Sequence, residues 1–401
     1  MQKFTVLFLS LTLILGCSKK KENSIASADV ISINPASAEE YINLSELVDS
    51  VQCIKLQIDS GDVMGEIQRI IIRDKYIYAK DKSLKQIFVF DKEGKFISKL
   101  DKRGQGPGEY INFSAFFVDE KEEYLELLNF RGKTIKIFKY DNIDFNFIES
   151  SSLPGVSYNS CRKQNGIYYF SNCQMDNSIN GNKTNANLFI LGKDSVLHSF
   201  FDKNIETNNN YFLPYGENFT LNEKDELFVS LMYDNTFYQL DNGNVYPFLK
   251  IDFGKYNMDV SVGNKSTTEQ MKYIKEMSGK ASFPVLNVNN DKILSFSYYF
   301  KEKKGQEMFS EKDLRQYIKF KGTDKIYNTK KIRNDLTDFP DNIVLNSGWV
   351  CSYDVCYKDY LVYVVKPDQY FKDSETKEIY VDGLGKITEF DDPIVVFMKL
   401  K

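Results

Sequence analysis

The chain has 401 residues, 42% of them hydrophobic and 14% aromatic, with 52 Lys and Arg against 56 Asp and Glu. That is enough apolar material for a large core, and a mildly acidic balance without a long basic stripe speaks against nucleic-acid binding. The one histidine, His198, excludes a centre built from several histidines.

Lys3 followed by the apolar run Phe4 to Leu15 has the length and flank of a signal peptide and is too short to span a bilayer. It ends in Leu13-Ile14-Leu15-Gly16-Cys17, which resembles the lipobox of bacterial lipoproteins. That resemblance implies cleavage after residue 16 and lipidation of Cys17, and multiple acyl chains anchor a protein durably. Residues 17–40 are rich in Ser, Ala, Asn and Lys with no apolar period, the composition of a flexible tether. Lys19-Lys20-Lys21 is either a contact for anionic headgroups or an ordinary solvated run. The expected boundaries are therefore 1–16 signal peptide, 17–40 lipidated cysteine and tether, and 41–401 folded domain.

From residue 74 onward a charged turn followed by an apolar strand recurs six times. The turns begin near Asp74-Lys75, Glu122-Glu123, Gln164-Asn165-Gly166, Lys224-Asp225, Asp291-Lys292 and Lys358-Asp359. In five units a hairpin follows, over 86–100, 134–148, 187–201, 236–251 and 316–332, each around a turn rich in Asp, Asn or Gly. Their flanks alternate, as in Ile87-Phe88-Val89-Phe90 and Ile135-Lys136-Ile137-Phe138. Repeated small sheets of this kind predict an all-β chain folded as a six-bladed β-propeller. The sixth unit has only a lone C-terminal strand, Pro393 to Leu400. Its expected partner is the N-terminal strand Val48 to Ile58, which would close the ring and leave no long bare edge.

Two insertions interrupt the second half. Ser266-Thr267-Thr268-Glu269 is a capping box followed by Met271, Ile274 and Met277 on one face, so a helix of about three turns is expected. Residues 366–391 are polar and read as a lid, a partner surface or a disordered loop.

The sharpest local motif is Lys102-Arg103-Gly104-Gln105-Gly106-Pro107-Gly108-Glu109-Tyr110. Together with Asp91-Lys92-Glu93-Gly94-Lys95-Phe96-Ile97 it resembles the NHL-like repeat of β-propellers. The terminal strands Leu44 to Val51 and Pro393 to Leu400 are similar to those of Bacteroidetes-type propeller lipoproteins. The resemblance implies the propeller fold and a cell-envelope, outer-membrane location. Enzymatic relatives of the NHL type use histidine-ligated metal, and the ligands are missing here. The motif reads first as a connection between blades, and second as a polar contact at the propeller mouth through Arg103, Glu109 and Tyr110. Trp349, the one tryptophan, is a further candidate for stacking on a sugar or peptide.

No HExxH, G-x-S-x-G or Walker-type loop is present, and no cofactor or metal is implied. The cysteines besides Cys17 are Cys53, Cys161, Cys173, Cys351 and Cys356. They lack metal-ligand spacing and are expected as buried free thiols, with a disulfide as the alternative. The sequence therefore predicts a lipid-anchored propeller, not evidently an enzyme, that binds a glycan, peptide or envelope protein on one face of the ring. The alternative is a carbohydrate-active hydrolase or lyase using carboxylates and tyrosines around the central channel.

Overall fold

The computed structural model describes residues 28–58, 62–131, 134–172, 177–179, 182–192, 196–202, 217–304, 310–337, 339–345, 352–372 and 376–401. The signal peptide, the lipobox with Cys17, and Cys173, Trp349 and Cys351 lie outside these residues.

The first strands among the described residues are β1 (Asp29–Ser32), β2 (Ile42–Asn43) and β3 (Val48–Lys55). Blade one follows as β4 (Ile67–Ile72), β5 (Ile77–Asp81), β6 (Gln86–Phe90) and β7 (Phe96–Leu100). Blade two is β8 (Ala115–Val118), β9 (Tyr124–Arg131), β10 (Thr134–Asp141) and β11 (Phe147–Pro154). Blade three starts with β12 (Ser160–Gln164) and β13 (Ile167–Ser171). A side hairpin, β14 (Asn177–Ile179) and β15 (Asn182–Thr184), precedes its last strands, β16 (Leu188–Leu191) and β17 (Val196–Phe200). Blade four is β18 (Phe219–Leu221), β19 (Leu227–Ser230), β20 (Thr236–Asp241) and β21 (Asn244–Asp252). Helix α1 (Thr267–Glu276) comes next, then blade five: β22 (Lys280–Asn289), β23 (Ile293–Lys301), β24 (Leu314–Phe320) and β25 (Ile326–Thr329).

After β26 (Ile332–Arg333), β27 (Asn342–Ile343) and β28 (Ser352–Tyr353) comes blade six. It contains β29 (Cys356–Tyr357) and β30 (Tyr360–Val365). An insertion of α2 (Pro367–Tyr370), β31 (Glu378–Val381) and β32 (Gly385–Thr388) leads to its last strand, β33 (Ile394–Leu400). All five expected hairpins are paired ladders. The expected partner of the C-terminal strand is also found: β3 runs antiparallel to β33, with Val51 opposite Met398 and Cys53 opposite Val396.

Two expectations are corrected. Counted as sheets of three or more strands the blades number seven, not six, because β2, β26 and β27 form a short three-stranded sheet of their own. Its strands are two residues long and one arrives from the N-terminal segment, so it carries no trace of the strand, strand, hairpin pattern. The expected tether is also too long. β1 lies parallel to β21 on the outer edge of blade four, Glu39 bridges to Thr329 in blade five, and Ile42 pairs with Ile332. Residues 29–55 thus form a strap across the outer edges of successive sheets, with Ile31 and Ile33 packed into the core under blades four and five. Hydrogen bonding to exposed strand edges outweighs the low apolar content of this segment, since an uncovered edge leaves backbone groups unpaired.

The core is divided between neighbouring sheets. In β6, Ile87 and Val89 face blade two, while Phe88 and Phe90 join the cluster that reaches blade six. In β10, Ile135 and Ile137 pack toward blade three, and Phe138 and Tyr140 toward blade one. Helix α1 forms with its capping box intact, Ser266 and Glu269 exchanging bonds, and buries Ile274 against Tyr233, Met258 and Phe283. The 366–391 insertion is packed structure and not a loose loop at its two ends, with Phe371 and Ile387 fully buried. Among the described residues no helix is long and apolar enough to cross a membrane.

The strap and the terminal pairing should contribute through their inward-facing side chains. Ile54→Ala in β3 is expected to cost about 2–5 kcal/mol, read as a lower urea midpoint. Val30→Ala, on the exposed face of β1, should stay within about 0.5 kcal/mol of the parent.

Candidate functional site

Four charged side chains from, or next to, the first strands of blades one, three, four and six meet at the axis. Arg69 comes from β4, Arg162 from β12, Glu217 from the residues before β18, and Asp354 from between β28 and β29. Arg69 Nη1 is 2.8 Å and Arg162 Nη1 2.7 Å from Glu217 Oε2. On Asp354 Oδ1, Arg162 Nη2 stands at 3.0 Å and Arg69 Nη2 at 3.4 Å. Ser160 Oγ donates to the other Glu217 oxygen, and Arg69 Nη1 also donates to Ser352 Oγ at 3.1 Å. Two cations and two anions from blades one, three, four and six thus neutralise one another across the axis. Burial alone would raise the pKa of both carboxyls, but the Arg162 and Arg69 charges outweigh it and hold them below the usual carboxylate range.

Arg69, Arg162 and Asp354 of this network line a cavity of about 700 Å³. The cavity walls come from the turns that join first to second strands: Arg73 and Asp74 in blade one, Asp119, Glu120, Lys121 and Glu123 in blade two, Gln164 to Gly166 in blade three, Asn222, Glu223 and Asp225 in blade four, and Tyr357-Lys358 in blade six. Glu122, Asn165, Asp225 and Lys358 have φ between 50° and 57°, the left-handed turn conformation in which Asn and Asp are enriched. The turns also latch to one another. The Glu122 carboxylate accepts from the backbone N–H groups of Lys75 and Tyr76, Gln164 Nε2 donates to Asp225 O, and Lys358 Nζ lies 3.0 Å from Asp74 Oδ1. Below them, Lys163 and the Tyr168 hydroxyl both bind Glu126 Oε2, at 2.7 and 2.8 Å.

The residues singled out from the sequence lie elsewhere. In a meander of four antiparallel strands, the connection from the last strand to the next blade lies at the opposite end from the first turn. Arg103, Glu109 and Tyr110 are brought together in that connection, between β7 and β8, and do not line the cavity. Arg103 is exposed and paired with Asp101 at 2.7 Å. Glu109 accepts from Gly106 N at 2.8 Å, with its carboxylate over Gly104, where any side chain would collide with it. Gly108, at φ +74°, passes under Phe147, again without room for a Cβ. Tyr110 is buried, donates to Lys85 O at 2.8 Å and meets Phe113 edge-on. His198 lies on β17 beside Phe200. Cys53, Cys161 and Cys356 are free thiols, and burial raises the pKa of all three. Among the described residues no group of three or more His, Cys, Asp and Glu could hold a metal.

The cavity residues did leave a signal. Many of them belong to the charged turns that open five of the six sequence repeats, read there as the start of each repeat and not as the wall of a common mouth.

Residues 28–399 match the family described as Domain of unknown function (DUF4934). No curated protein matches the sequence significantly. Among solved structures, one from Bacteroides fragilis NCTC 9343, whose name marks it as a candidate exported protein, is similar at TM-score 0.65 and 17% identity. The match covers 93% of this chain and 99% of that one. A member of the duf4221 family from Bacteroides vulgatus aligns at TM-score 0.52 and 11% identity, over 88% of this chain and 97% of the other. At these identities the likeness is one of fold.

Removing one member of the axial network should leave its partners buried and uncompensated. Glu217→Gln is expected to cost about 3–5 kcal/mol, measured by chemical unfolding at pH 7. Because both carboxyls titrate lower when folded than unfolded, their contribution is complete above the unfolded value of about 4 and disappears as pH falls through the folded values. The acid limb of the stability profile should therefore be shallower in Glu217→Gln than in the parent.

Proposed function

The chain belongs to the DUF4934 family, a domain of unknown function, and from that premise we propose that it is a lipid-anchored cell-envelope propeller. Its ligand, a glycan, a peptide or a segment of an envelope protein, binds in the cavity walled by the first turns of the blades. The observation that carries this reading is the cavity of about 700 Å³ beside the self-neutralised axial network, a volume within the usual range of small-ligand sites. We take the ring as closed at the sheet where β3 and β33 join the two ends of the chain.

Binding is favoured over hydrolysis by the state of the axial carboxyls, of which Asp354 lines the cavity. A paired-carboxylate hydrolase needs one acid kept protonated near neutral pH, whereas Glu217 and Asp354 are both held ionised by arginines. The envelope location rests on the lipobox ending at Cys17 and agrees with the naming of the Bacteroides fragilis structure as a candidate exported protein. With the strap beginning at Asp29, the segment 18–28 would span at most about 40 Å when extended. The domain would then sit close to the lipid surface.

Cys17→Ser is expected to abolish incorporation of a fatty-acid label and to move the protein from the membrane to the soluble fraction. Unchanged labelling would remove the anchor from this reading. For the cavity, a ligand that binds only the folded state raises the unfolding temperature with concentration. Panels of peptides and glycans should include at least one compound that does so.

A further inference from the structure

Of the cations that line the cavity, Arg69, Arg162, Lys163 and Lys358 are each engaged by a carboxylate. Arg73, directly after β4, is not. Its Nη1 donates only to the carbonyl of Ile72, at 3.2 Å, and its Nε is buried without a hydrogen-bond partner. A second such residue is Gln164, the last residue of β12 in blade three. Its Nε2 donates to Asp225 O, and its Oε1 is buried without a protein hydrogen-bond partner. Both residues line the same cavity. Neither the arginine donor edge nor the amide acceptor has a protein partner, and in a cavity such groups are completed by water or by a ligand that takes its place.

The charges around these two atoms restrict the ligand further. Glu120, Glu123, Glu223 and Asp225 line the mouth, and among the described residues no ion pair neutralises them, whereas only Arg73 and Lys121 among the lining cations are likewise unpaired. A purely anionic ligand would meet this acidic surplus, and a neutral one would leave the guanidinium unsatisfied. A ligand with a carboxylate and a cationic group meets both.

Resting on the reading of this cavity as a binding site, we propose that the ligand is a short peptide. Its free carboxylate takes the bidentate edge of Arg73, a backbone N–H donates to Gln164 Oε1, and an ammonium or guanidinium group lies against the acidic turns of blades two and four. Phe117, Tyr124 and Tyr357 supply apolar surface in the same cavity.

The test uses the purified full-length protein in detergent and a lysine-containing tripeptide in two forms, with a free and with an amidated C-terminus. Binding is followed by calorimetry and by unfolding temperature. The free form should bind about tenfold or more tightly than the amide, the effect of a charge-assisted hydrogen bond, and added salt should weaken it. Arg73→Gln should erase the difference between the two forms, while Arg103→Gln, in the connection away from the cavity, should keep it. Gln164→Leu should weaken both forms alike. Equal binding of both forms by the parent, or a preference that survives in Arg73→Gln, overturns the proposal. Binding of a neutral oligosaccharide but of neither peptide overturns it too and leaves the cavity standing as a ligand site. No shift with any compound overturns both.

Discussion

The inner strands of the blades are buried on both faces. A single antiparallel sheet can leave one face in water, but here each strand sends alternate side chains to two different neighbours. β5 divides in this way, with Ile77 and Ala79 on the side of blade six and Tyr78 on the side of blade two. No blade is stable alone under that constraint, because half of its apolar surface is completed by the next. The demand passes around the array until it reaches the ends of the chain. There β3 and β33 pair, and the largest cluster, running from Ile42 to Leu400, joins the last sheets to the first.

The same constraint shapes the outside and the axis. Outside, the last strands would present unpaired backbone, and the strap from Asp29 to Lys55 covers several of these edges, as one strand on blade four and as short bridges further on. On the axis the first strands converge and their inward side chains crowd together, where lone charges would be costly. Arg69, Arg162, Glu217 and Asp354 answer this by arranging opposite charges at hydrogen-bond distance. The network is neutral as a whole, and the unpaired charges of the neighbouring cavity stand on its turns.

Much of the architecture was legible because it follows from local chemistry. Asp91 to Gly94 and Asp241 to Asn244 carry the residues that tight turns need, and both hairpins form where those residues stand. Ser266 and Glu269 cap a helix because their side chains reach each other's backbone across one turn. The glycines of 104–108 were legible as a connection for the same reason, and Gly104 and Gly108 each sit where a Cβ would collide. The short sheet of β2, β26 and β27 left no such trace, since two-residue strands have no period to read. The strap was hidden by its composition: Ser, Ala and Asn describe a tether equally well until an edge strand is present to receive it. Arg103 and Glu109 drew attention as charges in an unusual phrase, yet their partners, Asp101 and the Gly106 amide, are their own neighbours.

By itself the sequence determined the class of fold, the order of strands, the helix and its cap, and the pairing of the two ends, because turn propensity, capping and alternation act over a few residues. Tertiary structure alone decided which residues face one another around the axis. Arg69 and Asp354 are 285 positions apart, and Arg162 and Glu217 are 55 apart. Nothing in the neighbourhood of any of them marks it as a member of a pair. Their meeting depends on how far each sheet is turned from the last, a property of side-chain packing between blades that no local pattern encodes.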